Sequence, residues 1–351
     1  MPNPCLHLVE HLDLRFGGVA AVVPQLCRAI ATDGRYVPML SRESTQPAPI
    51  VHAHGLWRSQ TRVGAQMSRR ANARLVVSAH GMLDEWALRN KRWKKVVYGF
   101  VERANLRRTA CLHALTEAEV LDYRTFGIRN PVAIIPNGVG VPELLDPEPF
   151  LVVHPECRDR QLLLYLGRIH YKKGVELLAR TWARVAPQFP DARLVYAGPD
   201  SENTLSSLKA LIDELGLAGR VTFTGMLDAP VKWSALAAAH AFVLPSYSEG
   251  FSVATLEALA AARPVIVTDA CRFPEIAERQ CGWVVRPASG ALEAALVECL
   301  NASQTRLEII GENGRELVRT RYEWSTIGRQ MSDVYDWILG GLRPTSVEIR
   351  T

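Results

Sequence analysis

The sequence lacks several features, and each absence excludes something. No stretch approaches the roughly 20 apolar residues of a membrane-spanning helix, so any membrane role is expected to be peripheral. The N-terminus has no basic region followed by an apolar core and a small-residue cleavage site, so no signal peptide is expected. None of the seven cysteines, Cys5, Cys27, Cys111, Cys157, Cys271, Cys281 and Cys299, belongs to a C-x-x-C pair. Odd in number and scattered, they read as reduced structural thiols of a cytosolic protein rather than disulfides or zinc ligands. The fingerprint G-x-G-x-x-G is missing, since Gly138-Val139-Gly140 lacks the third glycine; that counts against an NAD enzyme. Charge of one sign is weak too. A net charge of +5 does not make the concentrated basic face that nucleic acid needs. There is no sequence repeat and no low-complexity tract.

What is present is a globular chain of 351 residues, 48% hydrophobic and 22% charged, long enough for two domains. Short apolar runs alternate with helical patterns. Candidate strands fall at 5–10, 50–53, 75–79, 111–115 and 132–135. They resume at 161–166, 193–197, 221–223, 241–244, 264–267 and 282–285. Strands separated by helical patterns mean βαβ units and parallel sheets. The expected fold is therefore α/β, with two Rossmann-like parallel-sheet domains at 1–140 and 161–322. The Pro/Gly-rich stretch 141–160 reads as a linker. Residues 323–351 open with a helical pattern carrying Trp324, Ile327, Met331, Tyr335, Trp337 and Ile338. That helix fits equally a return to the first domain or a cover for the second sheet. In open parallel sheets, ligands bind beyond the carboxyl ends of the strands. With two such domains, the cleft between them is the natural site.

The strand-to-helix loops carry the candidate chemistry. In LRFGGVAAVV, Gly17 and Gly18 open the first helix and would let a ligand anion approach its N-terminus; a simple tight turn needs the same glycines. In VSAHGMLDEWAL, His80 ends a strand and precedes a glycine, a place for a catalytic or orienting group, and His52 and His54 end the strand before. In YLGRIHYKKG, Arg168 follows a strand while Lys172 and Lys173 precede a helix. Arginine gives bidentate phosphate contacts and lysine a mobile point charge, so the pair suits a diphosphate better than a merely solvated loop. In VYAGPDS, Gly198 offers a close wall. In PSYSEGFSVATLEALAAARPVIVTD, seven residues separate Glu249, at the loop tip, from Glu257, in the following helix. A loop carboxylate can hold sugar hydroxyls, and one early in a helix can reach a ribose. Backbone N–H groups from Phe251 to Ala254 would face phosphate oxygens between them. The plainer account of Glu257 is complementarity to the helix dipole.

Taken in order, GGVA, AHGML, LGRIHYKKG and SYSEGFSVATLEALAAARPVI resemble the family-four retaining glycosyltransferases of the GT-B fold, over nearly the whole chain. The E-G-F within E-x7-E is the most specific part. HGMLDEWAL, RWKK, LHALTEAE and IPNGV resemble the bacterial exopolysaccharide or lipopolysaccharide members. The resemblance implies a nucleotide-diphosphate sugar donor held mainly by the second domain, and no cofactor. Arg168 and Lys173 would hold the diphosphate, Glu249 the donor hexose and Glu257 the ribose. Ser248, Gly250, Phe251, Ser252 and Val253 would line the donor. Gly18 would approach the phosphate, and His80 would lie beside the transferred sugar. Glu85 stands where the family often has proline, which touches the acceptor side. The sequence has no D-x-D, so a metal-held diphosphate is not expected. For retention the family implies front-face attack, the acceptor hydroxyl bonding to the departing phosphate.

The acceptor side is less marked. Residues 89–108, RNKRWKKVVYGFVERANLRR, interleave Arg and Lys with Trp93, Tyr98 and Phe100. Such a segment fits an anionic membrane surface carrying a lipid-linked acceptor; a solvated helix face with a core-facing aromatic stripe fits as well. Expected partners are a nucleotide-sugar donor and a glycan or lipid-linked acceptor, without nucleic acid. The expected location is the cytoplasm, peripheral on the inner membrane face under the membrane reading. Two other functions share this architecture: a nucleotide-sugar epimerase, which would convert donor without acceptor, and a non-catalytic nucleotide-sugar-binding partner, which would never turn over.

Overall fold

The computed structural model describes residues 1–11, 18–42, 46–85, 88 and 92–351, without the side chains of 92–97. The chain divides into two compact units, residues 1–138 with 321–351, and residues 139–320.

Unit 1 runs β1 (Asn3–Leu8), α1 (Gly18–Asp33), β2 (Tyr36–Ser41), β3 (Ile50–His54), α2 (Ser59–Ala71), β4 (Arg74–Ser78), α3 (Arg92–Leu106), β5 (Cys111–Ala114), α4 (Glu117–Thr125) and β6 (Val132–Ile134). Unit 2 runs α5 (Glu148–Val153), β7 (Gln161–Leu166), α6 (Val175–Val185), β8 (Ala192–Ala197), α7 (Thr204–Glu214), β9 (Val221–Gly225), α8 (Ala229–Ala238), β10 (Ala241–Leu244), α9 (Val253–Ala260), β11 (Val265–Thr268), α10 (Glu275–Glu278), β12 (Gly282–Val285), α11 (Ser289–Asn301) and α12 (Gln304–Arg321). Unit 1 is completed by α13 (Trp324–Ile338) and β13 (Glu348–Arg350).

The first sheet has the order β13-β6-β5-β4-β3-β1-β2. Its strands are parallel except β13, which pairs antiparallel with β6. Neither β2 nor β13 was legible as a strand. β2 contains Pro38, which cannot donate to a ladder, and the strand tolerates it because it lies at the sheet edge. The apolar strand interiors pack on both faces. One core joins Leu6, Val51, Leu75, Val77 and Leu112 to Tyr123 and Phe126. The other joins Cys5, Leu26, Ile30, Ile50 and Val76 to Ile327, Met331, Val334 and Tyr335 of α13.

Of the two packings open to the last helix, α13 takes the one against α1. A Cβ on Gly328 would lie 2.4 Å from the Ala29 carbonyl, so only glycine lets the two backbones come this close. Arg35 and Tyr36 then clamp the helix. The guanidinium donates to Asp336 at 2.7 Å and the phenol donates to the same carboxylate at 2.7 Å. Past the end of α13, Gly340 takes φ 111. Gly341 N–H donates to the Asp336 carbonyl and Gly340 N–H to that of Trp337, the double bond of a Schellman cap.

The second sheet is wholly parallel, with the order β12-β11-β10-β7-β8-β9. The strand order reverses between β7 and β10, and at such a switch point the outgoing loops part to opposite sides and leave a crevice. Residues 141–160, read from sequence as a linker, contain α5. Phe150 of that helix is fully buried, and its N–H donates to Ser234 Oγ of α8 at 2.8 Å. The stretch is thus part of unit 2 rather than a free connection. All seven cysteines are free. Burial pushes the thiols of Cys111, Cys271 and Cys299 up to about 12, which keeps them protonated and unreactive. Among the described residues no helix is long and apolar enough to cross a membrane.

Candidate functional site

The chemistry-bearing residues of unit 2 collect at its switch point. β7 ends at Leu166, and the Tyr165 phenol donates to the Arg168 carbonyl at 2.6 Å. That bond pins the Arg168 backbone. Its side chain stays exposed, with no partner among the described residues. Gly198 has φ +144, and a Cβ there would lie 1.9 Å from the Gly167 carbonyl oxygen. The close approach that requires this glycine is between the ends of β7 and β8, which explains it without a ligand.

Residues Tyr171–Lys173 form one 3-10 turn, opened by His170 Nδ1 accepting from the Lys172 N–H at 3.1 Å. Gly174 closes it in the left-handed region at φ +71, and a Cβ there would sit 2.0 Å from the Pro245 carbonyl oxygen. This contact lays the β7 loop against the β10 loop, where the Tyr247 N–H donates to the Lys172 carbonyl at 2.8 Å. The result is a charge pair: Lys173 Nζ meets Glu249 Oε1. Ser246 Oγ donates to the same oxygen at 2.7 Å. The Glu249 backbone N–H donates to the Ala270 carbonyl.

Glu249, at the loop tip, is nevertheless withdrawn from solvent; only 6% of it is exposed. Gly250 and Ser248 beside it are half-buried, and Phe251 packs on Phe273 at 5.7 Å between ring centroids. Ser252 caps α9, its Oγ accepting from the Thr255 N–H at 3.2 Å. The cap uses the Ser252 hydroxyl and leaves the first-turn amides of Val253 and Ala254 without acceptors inside the helix.

Glu257, in the second turn of α9, pairs with Lys232 of α8 at 2.6 Å. Burial raises its pKa above the ordinary carboxylate value, while the Lys232 ammonium pulls it back. Lys232 was not singled out from sequence. It is an isolated lysine in an alanine-rich helix, and only the fold, which brings it to a glutamate of α9, gives it a carboxylate. Both glutamates take their cation on Oε1. Among the described residues Oε2 of each has no partner, so each keeps an acceptor for an incoming hydroxyl.

In unit 1, His80 follows β4 in a left-handed conformation, φ 51, with Gly81 next at φ 74. Glu119 of α4, 2% exposed, holds this turn: its carboxylate accepts from the N–H groups of Gly81 and Leu115. The Tyr123 oxygen accepts from the Ala79 N–H at 2.9 Å. His80 Nε2 lies 3.1 Å from His54 Nδ1. Burial holds His80 neutral, its pKa lowered to about 3. His7, His52 and His54 bring ring nitrogens within 4.8 Å of one another, a donor set that a metal could use, although these nitrogens are hydrogen-bonded in series. Gly17 lies outside the described residues. Gly18 begins α1, exposed, with open space where a side chain would stand.

Residues 8–138 match the family described as "Glycosyl transferase 4-like domain", and residues 160–302 match "Glycosyl transferases group 1". Among curated proteins, the phosphatidyl-myo-inositol mannosyltransferase of Mycolicibacterium smegmatis is 30% identical over 59% of this chain and 52% of its own. The chain thus spans about half the length of that relative. Among solved structures, the sucrose-phosphate synthase of Thermosynechococcus elongatus superposes with a TM-score of 0.81 at 21% identity, covering 96% of this chain and 99% of that one. Anabaena HepE, solved in complex with UDP-glucose, superposes with a TM-score of 0.75 at 18% identity, covering 95% and 100%.

Proposed function

Because the chain belongs to the family-four glycosyltransferases and has the GT-B fold, we propose that it is a retaining enzyme. It moves a hexose from a nucleoside-diphosphate sugar to a glycan or lipid-linked acceptor in surface polysaccharide synthesis, without a metal. The observation that carries this reading is the β7–β10 switch point of unit 2. It brings the exposed Arg168 guanidinium, the Lys173 ammonium and the Glu249 carboxylate on adjoining loops together with the first amides and the Glu257 carboxylate of α9; each carboxylate keeps a spare oxygen.

Departure of a nucleoside diphosphate builds negative charge on its outer phosphate while the sugar passes through an oxocarbenium-like state. Groups fixed in place before that charge appears stabilise it most. Arg168 can contact the diphosphate with two N–H groups. Lys173 has three N–H donors and uses one on Glu249, so the others remain for phosphate oxygen. Val253 and Ala254 add backbone amides at a positive helix end. Glu249 Oε2 would accept from a hexose hydroxyl and Glu257 Oε2 from a ribose hydroxyl. The Lys173 and Lys232 partners keep both carboxylates aimed. Two cations, Lys173 held by Glu249 and Arg168 on a pinned backbone, do the work that a metal does elsewhere. The acceptor hydroxyl attacks from the face the diphosphate leaves, and the departing phosphate oxygen takes its proton. His80 is assigned to the transferred sugar. The UDP-glucose bound by HepE makes UDP the first nucleotide to try.

The side chains of α3 bear on the acceptor. Tyr98, Phe100 and Val101 are exposed by 62%, 72% and 53%, so these three do not form the core-facing stripe of the plainer reading. Trp93, Val96 and Val97 lie outside the described side chains. Exposed aromatics on α3, with the exposed Arg107 and Arg108 just past its end, support docking on anionic lipid. Sedimentation with phosphatidylglycerol vesicles, reduced by Tyr98→Ser with Phe100→Ser, is the expected result. Binding that the double change leaves intact would remove this part of the reading.

The central test is a thermal-shift panel of UDP, GDP, ADP and TDP and their sugars in EDTA, with Arg168→Ala and Glu257→Ala alongside. One nucleotide should raise Tm, less so in both variants, and its sugar should be transferred in EDTA. Activity that requires a divalent cation would overturn the metal-free reading, and a shift unchanged in both variants would overturn the site.

A further inference from the structure

We propose that a buried hydrogen-bonded series, running from His80 through His54, His7, Tyr335, His52, Ser78 and His113 to the Ile135 carbonyl, fixes the tautomer of His80, so that its ring presents an acceptor at Nδ1. The inference deepens the assignment of His80 to the transferred sugar.

The series comes from register. His7 pairs with His52 across β1 and β3, and Ser78 sits opposite both His54 and His113. With side chains alternating along each strand, all five groups share the sheet face that α13 covers, and Tyr335 comes down onto them from that helix. His7, His52, His54, Ser78, His113 and Tyr335 are each at most 3% exposed. Polar groups at this depth must be satisfied by one another.

The direction of the series is set at its closed end. His113 Nε2 lies 2.7 Å from the Ile135 carbonyl oxygen, which can only accept. His113 therefore carries its proton on Nε2, and Nδ1 must accept, from Ser78 Oγ at 2.6 Å. A serine hydroxyl has one proton, so Ser78 must accept from His52 Nε2–H at 2.6 Å. His52 Nδ1 then accepts from the Tyr335 phenol at 2.7 Å. The phenol oxygen accepts from His7 Nε2–H at 3.3 Å. His7 Nδ1 accepts from His54 Nε2–H at 2.9 Å, and His54 Nδ1 from His80 Nε2–H at 3.1 Å. Every neutral ring donates once and accepts once. At the open end this leaves the Nδ1 lone pair of His80, which has no partner among the described residues. Burial keeps His7, His80 and His113 neutral, with pKa values lowered to about 3, 3 and 4.

Such a ring accepts from a sugar hydroxyl and cannot donate to a sugar oxygen. The same geometry argues against a metal at His7, His52 and His54. The His52 and His54 rings stack, 4.1 Å apart and tilted by 24°, and the nitrogens of the series point at one another in pairs.

The test is long-range proton–nitrogen correlation spectroscopy on the full chain with 15N-labelled histidine, which reads the tautomer of each ring without any substrate. The wild type should show His80 wholly in the Nε2–H form. Tyr335→Phe removes the phenol oxygen; His7, His54 and His80 then lose their fixed acceptor, and the Nδ1 resonance of His80 should shift toward a mixture of both forms. Ser78→Ala should do the same, and Ser78→Thr, which keeps the hydroxyl, should restore the single form. Circular dichroism would check that each variant is folded, and with two breaking sites a misfolded one leaves the other to decide. Wild-type His80 in the Nδ1–H form would overturn the inference. So would an unchanged His80 spectrum in folded Tyr335→Phe or Ser78→Ala, or stoichiometric metal in the purified protein by elemental analysis. Because the readout needs no donor, these outcomes are independent of whether the glycosyltransferase reading holds.

Discussion

An exposed cation and a half-buried, ion-paired one differ in what their removal does, and Arg168 and Lys173 supply one of each. Arg168→Ala should leave stability within about 0.5 kcal/mol, because the side chain is exposed and has no hydrogen-bond or ion-pair partner among the described residues. It should lower transfer by roughly 100-fold or more if the guanidinium faces the developing charge. Lys173→Met is expected to lower both stability and transfer. It leaves the Glu249 carboxylate, 6% exposed, without its counter-ion, at a cost of about 1–3 kcal/mol. Chemical denaturation with a steady-state assay separates the two; equal stability losses would contradict the pairing. This pairing marks the limit of what residue order shows. Glu249 and Lys173 both stand out in their motifs, yet a glutamate in Ser-Glu-Gly-Phe looks solvated. Its burial depends on Ser246 and on a lysine 76 positions away, and no local pattern carries that. The same holds for Glu257 and Lys232.

At the scale of elements, two glycines decide how neighbours meet. Gly174→Ala would place a methyl group into the Pro245 carbonyl and force a left-handed alanine. The conformational term alone costs about 1–2 kcal/mol, so a drop in Tm is expected together with weaker nucleotide binding. Unchanged binding would mean that contact between the two loops does not shape the site. Gly328→Ala acts in the other unit, pushing α13 off α1. Overpacking of this kind costs about 1–3 kcal/mol, and the loss should appear in urea denaturation. A variant as stable as the parent would show that the helices can separate freely. The alternation of short apolar runs and helical patterns gave the parallel strands away, since buried parallel strands are continuous apolar runs. β2 was hidden by Pro38 and β13 by its three-residue length; edge strands need little apolar pattern, because only one neighbour covers them.

At the scale of the molecule, the buried histidines tie stability to pH. An unfolded chain takes up protons on histidine below about pH 6.5. In the fold, burial lowers His7 and His80 to about 3 and His113 to about 4, and also depresses His52 and His54. Between pH 6.5 and 4 the unfolded state therefore binds more protons, and each such histidine removes up to about 1.4 kcal/mol per pH unit. Glu257 and Glu102, whose pKa values burial raises, oppose this, but they are two groups against five histidines. Melting temperatures from pH 7.5 to 4.5 should hold level to about 6.5 and then fall steeply. A level curve to pH 5 would mean that the imidazoles take up protons inside the fold. The division of the chain has a consequence for its synthesis. The ribosome delivers residues 1–138 first and residues 321–351 only after all of unit 2. At about 5–20 residues per second that interval is on the order of ten seconds or more. Until then the apolar face of α1 and the edge of β6 wait uncovered on a nascent chain, a surface on which a chaperone can act, whereas unit 2, unbroken in sequence, can fold as soon as it emerges.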